Sequence, residues 1–171
     1  YEDVEEFFDS DFSFCDPYLI ADMEEAVLRI EKAIEDKQKI CVFGDYDADG
    51  VTATAVMYSY LSFRGADVMY YIPDRISEGY GMNKDAVTYL NEQGVKLIVT
   101  VDNGISAVEE IAYGNSLGID TVVTDHHQVG ESLPEAVAVI DPHREDCNLH
   151  FKDWAGVGVA FKVVCALEKG D

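Results

Sequence analysis

The feature of this sequence that most constrains its fold is a regular alternation of short apolar segments with segments of helical spacing. The apolar segments are rich in Val and Ile and apolar on both faces, as in a parallel sheet covered by helices. They lie at 40–44, 67–72, 96–101, 120–124 and 137–140. Helices are predicted at 50–64, 83–93, 105–117 and 155–168. We therefore expect an α/β fold: a doubly wound, mainly parallel five-stranded sheet with helices on both faces.

The first 37 residues precede this alternation. Residues 1–17 are rich in acids and Phe without a clear period, and we expect an irregular lead-in whose Phe side chains contact the core. Residues 18–37 predict an amphipathic helix that covers one sheet face. Its apolar positions are Leu19, Met23, Val27, Ile30 and Ile34. Because no linker or repeat divides the chain, we expect residues 1–171 to form one domain.

The chain is strongly acidic, with 34 Asp and Glu against 12 Lys and Arg and a formal net charge of -22. This balance argues against non-specific binding to nucleic acid, unless bound cations or further segments supply positive charge. The four cysteines form no CxxC pair, which favours buried reduced thiols and a cytoplasmic protein. No apolar run could span a bilayer, and no secretory signal is present, so no membrane partner is expected. Because the chain begins with Tyr1, we expect it to be part of a longer protein.

Three predicted strands end in acidic or imidazole residues, and the carboxyl ends of parallel strands meet at one rim of a sheet. After the first strand, Asp45, Asp47 and Asp49 place three carboxylates within five residues. Their mutual repulsion is relieved by a divalent cation, and oxygen ligands select Mg²⁺ or Mn²⁺. The alternative is that Asp49 caps the following helix while the other two are solvated.

The glycine-rich and acidic stretches depart from three common ligand-binding loops. A calcium-binding EF-hand loop that starts at Asp45 needs Glu at its twelfth position, where this chain has Val56. No GK[ST] follows for a phosphate-binding loop. The stretch Gly156–Ala160 lacks the third glycine of a dinucleotide fingerprint, because Phe161 occupies that position. The amides at the start of that helix could still bind a phosphate.

The third and fourth strands end in Asp102 and in Asp125-His126-His127. Alone, Asp102-Asn103-Gly104 is also a good turn sequence. One imidazole as a ligand shifts the preference toward manganese, and the set suits two ions about 3.5–4 Å apart, bridged by Asp102. Two such ions activate a water and neutralise charge on a phosphoryl group, which favours phosphoester hydrolysis with His127 as a donor. We expect His143 and His150 to be surface residues.

Together these motifs resemble the DHH phosphoesterase superfamily, which is named for the triplet present here as Asp125-His126-His127. Within it, the chain is most similar to single-strand-specific exonucleases that degrade DNA from the 5′ end. The resemblance covers nearly the whole chain. Its motifs are Gly44–Gly50 (GDYDADG), Pro73–Gly81 with Glu78 and Tyr80, Thr100–Gly104 (TVDNG), Thr124–His127 (TDHH) and Ala155–Lys162 (AGVGVAFK), with Pro17–Met23 as a lead-in.

The resemblance implies a role for each matching residue. Asp47, Asp49, Asp102 and His126 would ligate two manganese ions, with magnesium as the other suitable ion and Asp45 among or beside the ligands. Asp102 and His127 would be catalytic, with His127 facing the scissile phosphate. The residues implied to hold DNA are Arg75, His127, Gly156 and Gly158, within a stretch that runs to Lys162. The implied partners are single-stranded DNA, single-strand-binding protein and a helicase, in DNA repair and recombination.

Two departures from the family pattern affect the predicted activity. Phe43 occupies the position of a His found in the pyrophosphatase and cyclic-dinucleotide branches, which favours the exonuclease branch. The family's fourth motif, with a further aspartate ligand, its second core domain and its OB-type domain are expected after Asp171. We therefore expect little or no nuclease activity from this chain alone. The alternatives are a phosphodiesterase of short oligonucleotides or cyclic dinucleotides, and a non-catalytic protein-binding relative, which the intact ligands argue against.

Overall fold

The computed structural model describes residues 16–76, 79, 81–147, 149 and 151–168. Its sheet has five strands: β1 (Lys39–Phe43), β2 (Val68–Tyr71), β3 (Val95–Val101), β4 (Asp120–Thr124) and β5 (Ala138–Ile140). They are ordered β2-β1-β3-β4-β5, and all neighbouring strands are parallel. The predicted doubly wound, parallel α/β fold is confirmed.

Within these residues, five α-helices accompany the sheet: α1 (Met23–Glu35), α2 (Ala48–Phe63), α3 (Lys84–Glu92), α4 (Val108–Ser116) and α5 (Gly156–Glu168). The predicted first helix, from residue 18, is wrong at its start, because Pro17–Leu19 form a separate 3-10 turn. Asp22 then has a left-handed backbone with φ 60°, so α1 begins only at Met23. Residues 1–15 of the predicted lead-in, which was expected over 1–17, lie outside the described residues.

The helices pack on both faces of the sheet because successive strand residues point to opposite sides. On one face, α1, α2 and α5 pack against buried residues such as Val42, Val99 and Val122. On the other face, α3 and α4 pack against the alternate positions, which include Ile98 and Val123. The strands between them are buried on both sides, as the near-continuous apolar segments predict.

The edge strand β2 departs from that prediction. Its side chains are only partly buried, and Tyr70 is 57% exposed. The other edge strand, β5, is fully buried, so the exposure of β2 reflects how little of it the helices cover rather than its edge position alone. The strand order reverses beside β1, which has β2 on one side and β3 on the other. In open α/β sheets the crevice beyond the strand ends at such a point is where ligands bind.

The three cysteines in the described part of the chain are free thiols, as predicted. Cys41 and Cys147 are buried, Cys165 is half-buried, and Cys15 lies outside the described residues. Burial raises the pKa of the Cys41 thiol to about 12, so it stays protonated at neutral pH. Among the described helices, none combines the length and the apolar character needed to cross a membrane.

Arg144 joins the segment after β5 to the start of α1. Its guanidinium is buried and donates to the carboxylates of Asp22 and Asp146 and to the carbonyl oxygen of Val139. Asp22 also accepts from the backbone N–H of Val139 at 3.1 Å. These contacts hold the end of β5 against α1, on the side of the sheet where α5 packs.

Replacing Arg144 tests how much this network stabilises the fold. Arg144→Met leaves two carboxylates without their cation, and we expect it to lower the free energy of unfolding by roughly 2–3 kcal/mol, measured by urea denaturation. The control is Lys32→Met, which removes the cation of an exposed i,i+4 pair with Asp36. That change should cost less than about 0.5 kcal/mol. Equal losses in the two variants would contradict the role of Arg144.

Candidate metal centre

The loop after β1 brings two carboxylates to the rim. Asp45 is 1% exposed, and its Oδ1 has no hydrogen-bond partner among the described residues. Burial raises the pKa of this carboxyl. Asp47 is exposed and caps α2, because its Oδ1 accepts from the backbone N–H of Gly50 at 2.9 Å. The loop is thus held by the helix that follows it, while Asp45 Oδ1 has no hydrogen-bond donor within the described part of the chain.

Asp102 stands at the end of β3 and is 2% exposed. Its backbone is left-handed, with φ 61°, a conformation that Asp and Asn adopt more readily than most residues. Burial, followed by the charges of Asp49 and Asp47, raises the pKa of Asp102 to about 7. His126 Nε2 lies 3.0 Å from Asp102 Oδ1, but the angles of this contact are not those of a hydrogen bond. Asp102 Oδ1 therefore has no hydrogen-bond partner among the described residues.

At the end of β4, Asp125 fixes the orientation of His127. Asp125 is 1% exposed and accepts from the backbone N–H groups of Ile105, His126 and His127. Its Oδ1 also lies 2.7 Å from His127 Nδ1. Burial acts to raise the pKa of Asp125, but the hydrogen bonds from His127 and the backbone hold it below its usual value. The same contact raises the pKa of His127 to about 9.

Asp49 links the rim to α5. Its two carboxylate oxygens accept from the backbone N–H groups of Gly156 and Val157, each at 2.8 Å. Asp49 therefore caps α5, and the alternative that it caps α2 is wrong, because Asp47 does so. A Cβ on Gly156 would lie 2.6 Å from Asp102 Cβ, so α5 approaches the site as closely as glycine allows.

Two groups of potential ligands converge here and share Asp102. Asp45, Asp47 and Asp102 form one group, and Asp102, His126 and His127 form the other; within each, the ligand atoms lie within 4.8 Å of one another. Asp49 lies beside the second group, 3.7 Å from His126 Nε2. The unpartnered buried oxygens and the mixture of carboxylate and imidazole fit a hard or borderline divalent cation.

The residues predicted to hold DNA differ in their exposure and in their hydrogen-bond partners. Arg75 is exposed, with its guanidinium 5.4 Å from the ring centre of Tyr46, directly beside the acidic loop. The backbone N–H of Gly156 donates to the carboxylate of Asp49, and that of Gly158 donates to the carbonyl oxygen of Ala155. Lys162 is 8% exposed, with its ammonium 5.3 Å from the ring centre of Trp154. Glu78 and Tyr80 lie outside the described residues.

The expectation that His143 is a surface residue is wrong. Its side chain is 16% exposed and lies between the carboxylates of Asp141 and Asp153, at 3.7 and 3.6 Å. Its backbone N–H donates to Asp141, which is fully buried at the end of β5. The polar composition of residues 141–147 does not indicate that Asp141 and Cys147 are buried and that His143 is largely covered. His150 lies outside the described residues.

Comparison with known proteins gives a family. Residues 39–171 match the model of the DHH family, N-terminal domain. The chain is 48% identical over 157 residues to the single-stranded-DNA-specific exonuclease RecJ of Bacillus subtilis (strain 168), covering 92% of this chain and 20% of that protein. It is 43% identical over 151 residues to RecJ of Escherichia coli (strain K12), covering 86% and 26%.

A solved structure agrees with these relatives. A crystal structure of exonuclease RecJ bound to manganese superimposes with a TM-score of 0.81 and 36% identity, covering 88% of this chain and 38% of that one. The chain therefore spans about a fifth to a quarter of the length of these curated relatives, and less than half of the solved chain.

Gly156 offers a test of how tightly α5 closes the site. Gly156→Ala puts a methyl group into the space of Asp102, and we expect it to lower the melting temperature by several degrees and to weaken manganese binding at least tenfold. The matched control is Gly158→Ala, whose Cβ would lie 3.8 Å from Trp154 Cβ, an ordinary contact. Because Gly158 lies within α5 and alanine has a higher helix propensity than glycine, Gly158→Ala should leave the melting temperature unchanged or raise it. If both variants bind manganese alike, α5 does not shape the site.

The raised pKa of Asp102 predicts a pH dependence of the metal-free protein. A carboxyl whose pKa is higher in the folded state binds more protons there, so stability falls as pH rises from about 4 to about 7. Asp102→Asn removes this contribution. Between pH 5 and 6.5 the unfolding free energy of the wild type should therefore decrease by roughly 2 kcal/mol more than that of the variant. Urea denaturation in EDTA measures this. Parallel pH profiles would contradict it.

Proposed function

Because the chain belongs to the DHH family, we propose that it forms the metal-binding part of an enzyme that hydrolyses single-stranded DNA from its 5′ end. The observation that carries this proposal is the convergence of three strand ends on Asp102, which belongs to both groups of potential ligands. The named relatives are single-strand-specific DNA exonucleases, which favours DNA over cyclic dinucleotides as the substrate. The intact ligand set argues against a non-catalytic role.

The proposed cofactor is a pair of manganese ions, with magnesium as the other suitable ion. Asp45, Asp47 and Asp102 would hold one ion, and Asp49, Asp102 and His126 would contribute to the second. Manganese is supported by the RecJ structure that contains it and by the imidazole among the donors. When bound, such a pair lowers the pKa of a water and neutralises charge on a phosphoryl oxygen.

His127 supplies a proton donor beside this centre. Asp125 Oδ1 lies 2.7 Å from Nδ1 and orients the ring, and in this proposal Nε2 donates to the scissile phosphate or the leaving oxygen. In the metal-free protein Asp125 raises the pKa of His127 to about 9, so the ring carries its second proton at neutral pH before the ions bind. A charged donor at this position opposes the negative charge that develops on the phosphate. Arg75 provides a second cation beside the acidic loop, 5.4 Å from the ring centre of Tyr46.

The acidic chain repels DNA unless its charge is offset. The formal net charge is -22, and the carboxylates of the rim face the position proposed for the phosphate. Bound cations remove part of this repulsion, and regions equivalent to the rest of the longer relatives would supply more contacts. We propose further that residues 1–171 act as one domain of a cytoplasmic DNA repair and recombination enzyme that works with single-strand-binding protein and a helicase.

Two substitutions separate metal binding from proton donation. Asp102→Asn weakens the ligand shared by both groups and should abolish manganese binding, measured by isothermal titration calorimetry. His127→Ala should leave the manganese affinity within about twofold, yet lower kcat by a factor of roughly 10²–10⁴. Loss of manganese in His127→Ala, with retention in Asp102→Asn, would reverse the proposed roles.

The substrate is tested with the protein in its full natural length, with manganese, on an oligonucleotide labelled at either end. We expect mononucleotides to appear first from the 5′ end, with a duplex of the same sequence and a cyclic dinucleotide left intact. The 171-residue chain alone serves as a comparison and should show little or no activity. Cleavage of the cyclic dinucleotide alone would move the proposal to a phosphodiesterase.

A further inference from the structure

A pocket of about 250 Å³ lies beside His127, at the same rim of the sheet as the metal centre. Three segments line it: the residues just before α3, the loop from β3 into the first turn of α4, and the residues that follow β4. Its lining residues include Gly81, Asn103, Ser106, Glu110, His127 and Gln128. His127 thus belongs both to this pocket and to the second group of potential ligands, while the potential ligands Asp45, Asp47 and Asp49 do not line it.

Asn103 gives one wall of the pocket a defined chemical preference. Its Nδ2 donates to the carbonyl oxygens of Val101 and Phe43, at 2.9 and 3.2 Å. This fixes the amide, because the opposite orientation would place an oxygen against two carbonyl oxygens. Asn103 is 2% exposed, and its Oδ1 has no hydrogen-bond partner among the described residues. A buried acceptor without a partner is unfavourable, so a ligand N–H that reached this oxygen from the pocket would relieve it.

The other polar groups of the pocket also favour an uncharged donor over a second phosphate. The carboxylate of Glu110 repels an anion and accepts from N–H groups, while Ser106 and Gln128 offer further acceptors. The volume is below the about 300–1,000 Å³ of pockets that take drug-sized ligands. It suits a single flat ring system, and the backbone of Gly81 leaves one wall without a side chain.

We propose that this pocket receives the base of the nucleotide next to the scissile phosphate, a proposal that rests on the function proposed above. With the phosphate between His127 and the proposed ligands Asp102 and His126, the base turns away from the acidic loop after β1, and its N–H groups meet the acceptors of the pocket. These N–H groups are free in a single strand. In a duplex they are bonded to the complementary base, so the pocket contributes to the preference for single strands.

The test compares the cleavage of normal and abasic oligonucleotides by the full-length protein with manganese. Single-stranded oligonucleotides carry one abasic residue at either the first or the second position from the 5′ end. We expect kcat/KM to fall about tenfold for one of the two positions, because a bound base contributes strongly to single-strand binding. Equal rates for both abasic oligonucleotides and the normal one would overturn the proposal.

A pocket-filling variant locates the effect. Ser106 is exposed and lines the pocket, so Ser106→Phe should fill it, lower cleavage of the normal oligonucleotide to the abasic level, and leave manganese affinity unchanged. The matched control is Ser116→Phe, at the exposed far end of α4. Identical kinetics in the two variants would overturn the proposal.

The two proposals fail in distinguishable ways. Cleavage of single-stranded DNA without any dependence on the base would overturn the base pocket and leave the proposed function intact. No cleavage of any oligonucleotide by the wild type would overturn both. If Ser106→Phe fails to fold and loses manganese binding, the wild-type comparison of normal and abasic oligonucleotides still decides.

Discussion

The rim of the sheet is constrained by the repulsion between the carboxylates gathered there, which the apolar packing of the sheet has to overcome. Asp45 and Asp102 are almost fully buried, and each has an oxygen without a hydrogen-bond partner among the described residues. In water these groups would separate, so the fold must hold them together at a cost in free energy. A divalent cation placed among them would convert this repulsion into binding energy. The arrangement therefore fits the proposed metal centre.

The surrounding elements constrain these side chains through backbone hydrogen bonds more than through ion pairs. Asp47 is held by the first turn of α2, Asp49 by the first turn of α5, and Asp125 by three backbone N–H groups. Helix N-termini and backbone donors stabilise carboxylates in their charged form. Asp47, Asp49 and Asp125 have such donors, whereas Asp45 Oδ1 and Asp102 Oδ1 have no hydrogen-bond partner among the described residues.

The periodicity of the sequence predicts the sheet well, because strands that are buried on both faces are apolar throughout. The limits of β4, Asp120–Thr124, coincide with the prediction, and the strand ends correctly place the acidic residues at one rim. Contacts that depend on distant parts of the chain were not predictable. Asp49 meets Gly156 across 107 positions, and the orientation of Asn103 depends on a carbonyl of β1, 60 positions away. The sequence identifies Asp125 as part of the DHH triplet, but only the structure shows that its Oδ1 contacts His127 Nδ1.

The hydrogen bonds from α5 to Asp49 also have a consequence for how the protein is made. Synthesis proceeds from the N-terminus, and domains fold as their segments emerge from the ribosome. Strands β1 to β4 and their acidic residues precede α5 in the chain, so they emerge before Gly156 and Val157 can contact Asp49. During this interval the nascent chain exposes a set of carboxylates that lacks its final wall. The proposed metal centre is therefore completed late in translation, by a helix that emerges after all of its potential ligands.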